Sequence, residues 1–286
     1  MTKKIAQKKH GFIPDTKERA MRAISRFLIR LLKLNGSSRF SNVFIQMLDP
    51  VSEVKWMGHK SFRFRTGHGR LWWRAVTFHT EEPMMIGWIK TFNNNDIFLD
   101  IGANVGTYTI PGAYMSKLTY ACELDPINIG ILKENIHLNM LHDKVVILPF
   151  PANEKCRVTN VYYRDFSKGD ALQSMDRESP INTIEGEGKH IAQQLSFPLD
   201  KIFSNFSLTA PSKVKIDVDG NEMTVFRGAK KVILQAEEIY FEDCGSQDCK
   251  DIIEELVTNG FIVADQEIPA TSKGSRNILF KKVILN

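Results

Sequence analysis

Apolar residues fall in short blocks separated by polar turns, and two periodicities alternate along the chain. Residues 97–101, 118–123, 145–148, 214–218 and 238–242 are compact apolar runs of the kind expected of inner parallel strands. Between them, residues 107–116, 127–139, 221–234 and 247–259 carry apolar positions at helical spacing. Residues 261–264 and 277–282 predict a closing strand pair. Strand and helix in alternation predict a doubly wound, mostly parallel seven-stranded α/β sheet. Two regions stand outside the alternation. Residues 51–80 predict short strands that include Phe62-Arg-Phe-Arg65 and Leu71-Trp-Trp-Arg74, and Glu82-Pro83 opens a helix through Phe92. These aromatics suit either a core or a sugar-stacking lid. An insertion of about sixty residues, longer than ordinary αβ connections, separates strands three and four. Within it, 158–166 and 190–197 predict a hairpin, and Pro198 begins a short helix. Insertions so placed commonly carry substrate recognition.

The N-terminal segment has a different pattern. From 16 to 34, Met21, Ile24, Phe27, Leu28, Leu31 and Leu32 form one helical stripe, with Arg22, Arg26 and Arg30 on another face, and Asn35-Gly36 stops the helix. Residues 1–35 hold ten Lys or Arg against Asp15 and Glu18, a net +8; the whole chain is +5, so residues 36–286 carry −3. Such a helix either packs on its own domain or lies on an anionic membrane surface. The expected organisation is a basic extension (1–45), a small subdomain (46–92) and a main domain (93–286) with its insertion at 150–212. No apolar run is long enough to span a bilayer and no signal-peptide pattern opens the chain, so a cytoplasmic protein is expected; residues 16–34 either pack on the domain, the commoner case for such a helix, or make a peripheral contact at the inner membrane face. Cys122, Cys156, Cys244 and Cys249 lack metal-ligand spacing and read as free thiols.

The candidate chemistry begins at the first strand. Asp96-Ile-Phe-Leu-Asp-Ile-Gly-Ala-Asn-Val-Gly-Thr-Tyr-Thr109 runs from that strand through a glycine turn into a helix. Gly102 and Gly106 allow the backbone to approach a ligand closely. The glycine spacing is not that of a dinucleotide fingerprint, and no phosphate-cradling Lys-Ser/Thr follows. Glu123 ends the second strand 21 residues after Gly102, the spacing at which an acid accepts hydrogen bonds from a ribose. A nucleoside-type cofactor is expected.

The turn resembles the first motif of class I S-adenosylmethionine (SAM) methyltransferases, in the Asp-x-Gly-Ala-Asn-x-Gly form of the FkbM family. The resemblance continues in order over residues 80–282: Glu82-Pro83, Glu123-Leu-Asp-Pro126, Lys133-Glu-Asn-Ile-His-Leu-Asn139, Ala152-Asn153, Pro198-Leu-Asp200 and Lys215-Ile-Asp-Val-Asp-Gly-Asn-Glu222. It implies a Rossmann-like fold and a cofactor site built from Glu82, Asp100, Gly102, Ala103, Asn104, Gly106, Tyr108, Glu123 and Asp125. Ala152 and Asn153 fall where the family places adenine contacts. It also implies O-methylation of a saccharide, glycolipid or natural-product hydroxyl. Asp219 departs from the family's usual Glu, which leaves the acceptor side open.

A hydroxyl acceptor needs a base. Asp217 ends strand four in the ligand crevice and is the leading candidate, unless it simply caps the next helix. His190, in the insertion, is a second candidate. Asp219, Glu222 and Glu242 cluster nearby as acceptor-binding acids, and no spacing requires a metal. There is no Asn/Asp-Pro-Pro-Tyr/Phe after strand four, and the catalytic part is slightly acidic, so no nucleic-acid acceptor is expected. A saccharide-directed O-methyltransferase leads; a natural-product methyltransferase and a non-catalytic scaffold in a glycan-synthesis complex are the alternatives.

Overall fold

A computed structural model describes residues 23, 24, 27, 50–58, 60–163, 167–171, 173–176, 190–269 and 274–283. The chain divides into two compact units, Met1–Pro50 and Val51–Asn286. Of the helix expected at 16–34, only Ala23, Ile24 and Phe27 are described; they are helical and exposed, and the rest lies outside the described residues. Among the described residues no helix is long and apolar enough to cross a membrane.

The second unit is built on a seven-stranded sheet. Its strands are β3 (Ile97–Ile101), β4 (Leu118–Cys122), β5 (Val145–Leu148), β9 (Lys213–Ile216), β10 (Glu238–Asp243), β11 (Phe261–Glu267) and β12 (Arg276–Lys282), in the order β11-β12-β10-β9-β3-β4-β5. The five strands from β10 to β5 are parallel, and β12 runs antiparallel to both β10 and β11. Strand order reverses between β3 and β9, which makes a ligand crevice at their carboxyl ends.

Alternation along each strand assigns its side chains to two layers. Ile97, Leu99, Ile101, Tyr120, Cys122, Val214, Ile216, Ile239 and Phe241 pack in one core, against α5 (Leu199–Asn205), α6 (Glu222–Gln235) and α7 (Gln247–Thr258). Phe98, Ala121 and Tyr240 face the other, beneath α1 (Gly69–Val76), α2 (Pro83–Ile89), α3 (Thr109–Met115) and α4 (Pro126–Leu138). In register with Phe98 and Asp100 stand Lys213 and Lys215. Period two therefore puts Asp100, Lys215 and, beyond the strand, Asp217 on one face of the sheet.

The N-terminal hairpin β1 (Val51–Trp56) and β2 (Lys60–Arg65) belongs to this second core through Trp56, Phe62 and Phe64. Asn135 of α4 and its C-cap Asn139, one turn apart, satisfy its edge: Asn135 Oδ1 accepts from Arg65 N–H at 2.8 Å and Asn139 Oδ1 from Arg63 N–H at 2.9 Å. Leu71–Arg74, expected among strands, is helical instead. Leu71 and Ala75, four apart, are buried while Trp72 and Trp73 stay exposed, so the segment follows a helical stripe that its aromatic content masked. The aromatics thus divide between core and surface. The insertion contains β6 (Arg157–Tyr163), β7 (Ser174–Met175) and β8 (His190–Ser196) in the antiparallel order β7-β6-β8; residues 164–166 and most of the connection before β8 lie outside the described residues.

Candidate active site

The glycine turn after β3 sits on the crevice. Gly102 has φ +85, and a Cβ there would lie 1.8 Å from the Asp217 carbonyl oxygen, so only glycine lets β3 and β9 meet at the switch point. Gly102→Ala is expected to cost about 3 kcal/mol or more in unfolding free energy. Gly220, also at positive φ but with nothing within 4 Å of a Cβ, should cost only about 1–2 kcal/mol on the same change. Urea unfolding of the two variants checks the contrast; equal losses would show that the close approach is not what selects Gly102.

Glu123 lies behind this turn, 6% exposed. Its Oε2 accepts from the Asn104 N–H at 2.8 Å and its Oε1 from the Asp125 N–H at 2.9 Å. Burial pushes the carboxyl up to about 7, against those backbone donors. Asp125 caps α4, accepting from the Ile127 N–H at 2.8 Å, and burial raises its carboxyl as well. Asn104 holds φ +50. Its Nδ2 donates at 2.7 Å to the carbonyl of Asp170, from the insertion, and the Asn128 Nδ2 donates to the same oxygen at 3.0 Å. Asp170 is in turn paired with Arg70 of α1, and Gln173 Nε2 reaches Asp125 Oδ2 at 3.3 Å. The insertion is therefore seated on the turn and its acid.

Across the crevice is a buried charge centre. Lys215, 2% exposed, places Nζ 3.0 Å from Asp217 Oδ2, 3.3 Å from Asp100 Oδ1 and 3.3 Å from the Gly102 carbonyl. Burial opposes its charge, yet Asp217, Asp100 and Glu82 together hold it above the usual lysine range. Burial would raise Asp217 as well, but Lys215 holds it below the usual carboxylate range. Glu242 shares a hydrogen bond with Asp217, whose charge, more than burial, pushes it up to about 10. Burial, then Asp217, pushes Glu82 up to about 8. Tyr108 is raised by burial and then by Glu82, and its ring centroid lies 6.0 Å from Lys215 Nζ. At neutral pH the centre thus holds an ionised Asp217 beside a protonated Glu242. Asp217 does not cap α6: the N-cap is Asn221, and Asp217 is spent on Lys215.

The remaining expected residues are distributed as follows. Glu82 and Tyr108 stand with the charge centre rather than beside Glu123. Asp219 adopts φ +46 and acts on Glu242. Glu222 is buried at the start of α6, with Oε1 accepting from the Gly220 N–H at 2.8 Å. Ala152 and Asn153 are buried against the insertion, where Asn153 Nδ2 meets Thr159 Oγ1 at 3.1 Å. His190 is exposed at the start of β8, opposite Tyr163. Sequence reasoning assigned no role to Lys215, Arg70 or Asp170. For Lys215 a signal existed: Lys213, Lys215 and Asp217 alternate within a strand whose other positions are apolar, a costly pattern unless the charges pair.

A family model described as the Methyltransferase FkbM domain matches residues 100–263, more than half of the chain. The chain belongs to the FkbM methyltransferase family. Its sheet is the Rossmann-like class I methyltransferase fold, and its cofactor is SAM. Among curated relatives, the tRNA (guanine(37)-N(1))-methyltransferase of Dictyostelium discoideum is 28% identical over 121 residues, 42% of this chain and 22% of that protein. A probable ribosomal RNA small subunit methyltransferase A of Methanosphaera stadtmanae is 35% identical over 77 residues, 25% of this chain and 28% of that one. The chain thus spans less than a third of these relatives. Among solved structures, the methyltransferase FkbM of Methylobacillus flagellatus KT is 14% identical, with a TM-score of 0.48 over 66% of this chain and 44% of that one.

These relatives correct one expectation. They are named as tRNA and rRNA methyltransferases, which overturns the exclusion of nucleic acid as a partner. Net charge was a poor guide because phosphate contacts need only a local basic surface, which a mildly acidic domain can carry.

The residues present fit SAM. A buried carboxylate at the end of β4, hydrogen-bonded to the backbone of the glycine turn, and an acidic centre on the other side of that turn are a donor set suited to a nucleoside carrying a positively charged sulfur.

Proposed function

We propose that this chain is a SAM-dependent O-methyltransferase acting on a hydroxyl of a saccharide or glycoconjugate. The observation that carries the reading is Asp217, 3.0 Å from Lys215 Nζ and sharing a hydrogen bond with Glu242, at the switch point directly against the glycine turn. Glu123 would accept from the ribose hydroxyls, and the backbone of residues 102–106 would line the donor. Bound SAM supplies a methyl on a positively charged sulfur, which passes to the acceptor oxygen as the carbon–sulfur bond breaks.

Asp217 keeps 30% side-chain exposure, so an acceptor can reach it from the crevice. There it orients the hydroxyl and takes its proton as the new bond forms. Glu242 donates a hydrogen bond to Asp217 and keeps a second negative charge out of the centre. Lys215 holds Asp217 ionised.

Methylation of an RNA is a second reading, favoured by the RNA methyltransferases among the relatives and by exposed Trp72 and Trp73 on α1, which can stack a base as readily as a sugar. Incorporation of labelled methyl from SAM into glycan acceptors and into total RNA separates the two. Label confined to RNA, stable to treatments that remove base-labile groups, would overturn the saccharide reading.

The cofactor site has its own test. Calorimetric titration with SAM and its demethylated product should give micromolar binding that Glu123→Ala abolishes. Because Glu123 titrates near 7 and its ionised form is the better acceptor, affinity should be weaker at pH 6 than at pH 8. A flat profile would remove Glu123 from the ribose contact.

A further inference from the structure

The turn from β10 into α7 brings two thiols together. Cys244 directly follows β10, Gly245 reverses the chain at φ +76, and Cys249 sits in the first turn of α7, where its N–H donates to Ser246 Oγ at 3.1 Å. Both are free cysteines, and their sulfurs are 3.2 Å apart. Glu222, at the start of α6, joins them: one carboxylate oxygen and the two sulfurs all lie within 4.8 Å of one another. Glu222 is 3% exposed and Cys249 0%, whereas Cys244 is exposed. Sequence spacing was silent here because the third ligand comes from a different strand–helix unit.

The donor set selects the ion. Hard cations such as Mg²⁺ and Ca²⁺ take oxygen, and two thiols disfavour them. Zinc takes thiolate at about 2.3 Å and carboxylate at about 2.0–2.2 Å, which in a tetrahedron sets ligand atoms roughly 3.3–3.8 Å apart. The three atoms are gathered within 4.8 Å of one another, and the sulfur pair, at 3.2 Å, reaches that spacing by a small rotation of the exposed Cys244. We propose that Glu222, Cys244 and Cys249 form a zinc site whose fourth position faces solvent on the Cys244 side. Zinc binding releases one proton from each thiol to solvent as the thiolates form. The ion ties the turn before α6 to the turn before α7. Those turns follow Asp217 and Glu242 in the chain, so the ion joins the two segments that carry these acids.

The test uses the untagged full-length protein, reduced, stripped with a chelator and titrated anaerobically with Co²⁺ and then Zn²⁺. A thiolate-to-cobalt charge-transfer band should grow with Co²⁺ and vanish as Zn²⁺ displaces it. Zinc should also protect Cys244 of the wild-type protein from alkylation. Glu222→Gln should weaken zinc binding on the order of tenfold or more, and Cys249→Ser should remove most of the band. Equal alkylation of wild-type Cys244 with and without zinc would overturn the proposal without recourse to any variant. So would a cobalt band at full strength in Cys249→Ser.

Discussion

Replacing Lys215 with methionine is expected to lower the unfolding free energy by about 3–5 kcal/mol at neutral pH. The lysine is fully enclosed, and its ammonium is what Asp217 and Asp100 face at 3.0 and 3.3 Å. Methionine keeps most of the volume, so the cost is not a cavity; it is the stranding of buried carboxylates without a counter-charge. The pH dependence distinguishes the two causes. Without Lys215 the Asp217 carboxyl it held down shifts upward, above its unfolded value of about 4. A group raised in the folded state keeps its stability below the unfolded value and loses it as pH rises through the folded one. The deficit of Lys215→Met should therefore be smallest near pH 4–5 and grow toward neutrality. Urea unfolding across that range measures it, and a deficit independent of pH would mean that packing, not charge, is what Lys215 contributes.

How far the sequence disclosed this centre depends on the range of the interactions. The parallel strands were legible because burial on both faces forces unbroken apolar runs, and the turn at 102–106 because its glycines are spaced for one geometry. Glu123 was legible by its distance from that turn. Leu71–Arg74 was misread because bulky aromatics favour strands locally, while the helix is decided by what Leu71 and Ala75 pack against. The pairing of Glu242 with Asp217, and the place of Glu82 beside them, joins residues from three separate elements. So does the seating of Asp170 on Asn104. No local pattern encodes such contacts. They follow from strand register, and register is fixed only when the whole sheet assembles. The acceptor was least legible of all, because a carboxylate that takes a proton does not report which molecule gave it.

Asp217→Asn is expected to lower kcat on the order of 10²–10⁴-fold with SAM affinity nearly unchanged, since the amide cannot take a proton and Glu123 bonds to Asn104 and Asp125 rather than to Asp217. Its effect on the pH dependence of stability should be opposite to that of Lys215→Met. In the wild-type protein the charge of Asp217 is the main reason Glu242 titrates near 10, and it adds to the burial that lifts Glu82 to about 8. Both are raised above their unfolded values of about 4.3, so the fold binds more protons than the unfolded chain and loses stability as pH climbs through that window. Asparagine removes the repulsion, both carboxyls ionise lower, and the alkaline loss shrinks. Between pH 6 and pH 9 the stability of Asp217→Asn should thus fall less steeply than that of wild type, on top of the pH-independent cost of taking from Lys215 its nearest counter-charge, and the variant remains inactive. Parallel unfolding curves for the two proteins over that range would mean that Glu242 is not protonated against Asp217. Retained turnover would mean that another group takes the proton. The combination expected here, a protein whose stability falls less steeply toward pH 9 and that cannot transfer methyl, is what separates a carboxylate pair kept for chemistry from one kept for structure.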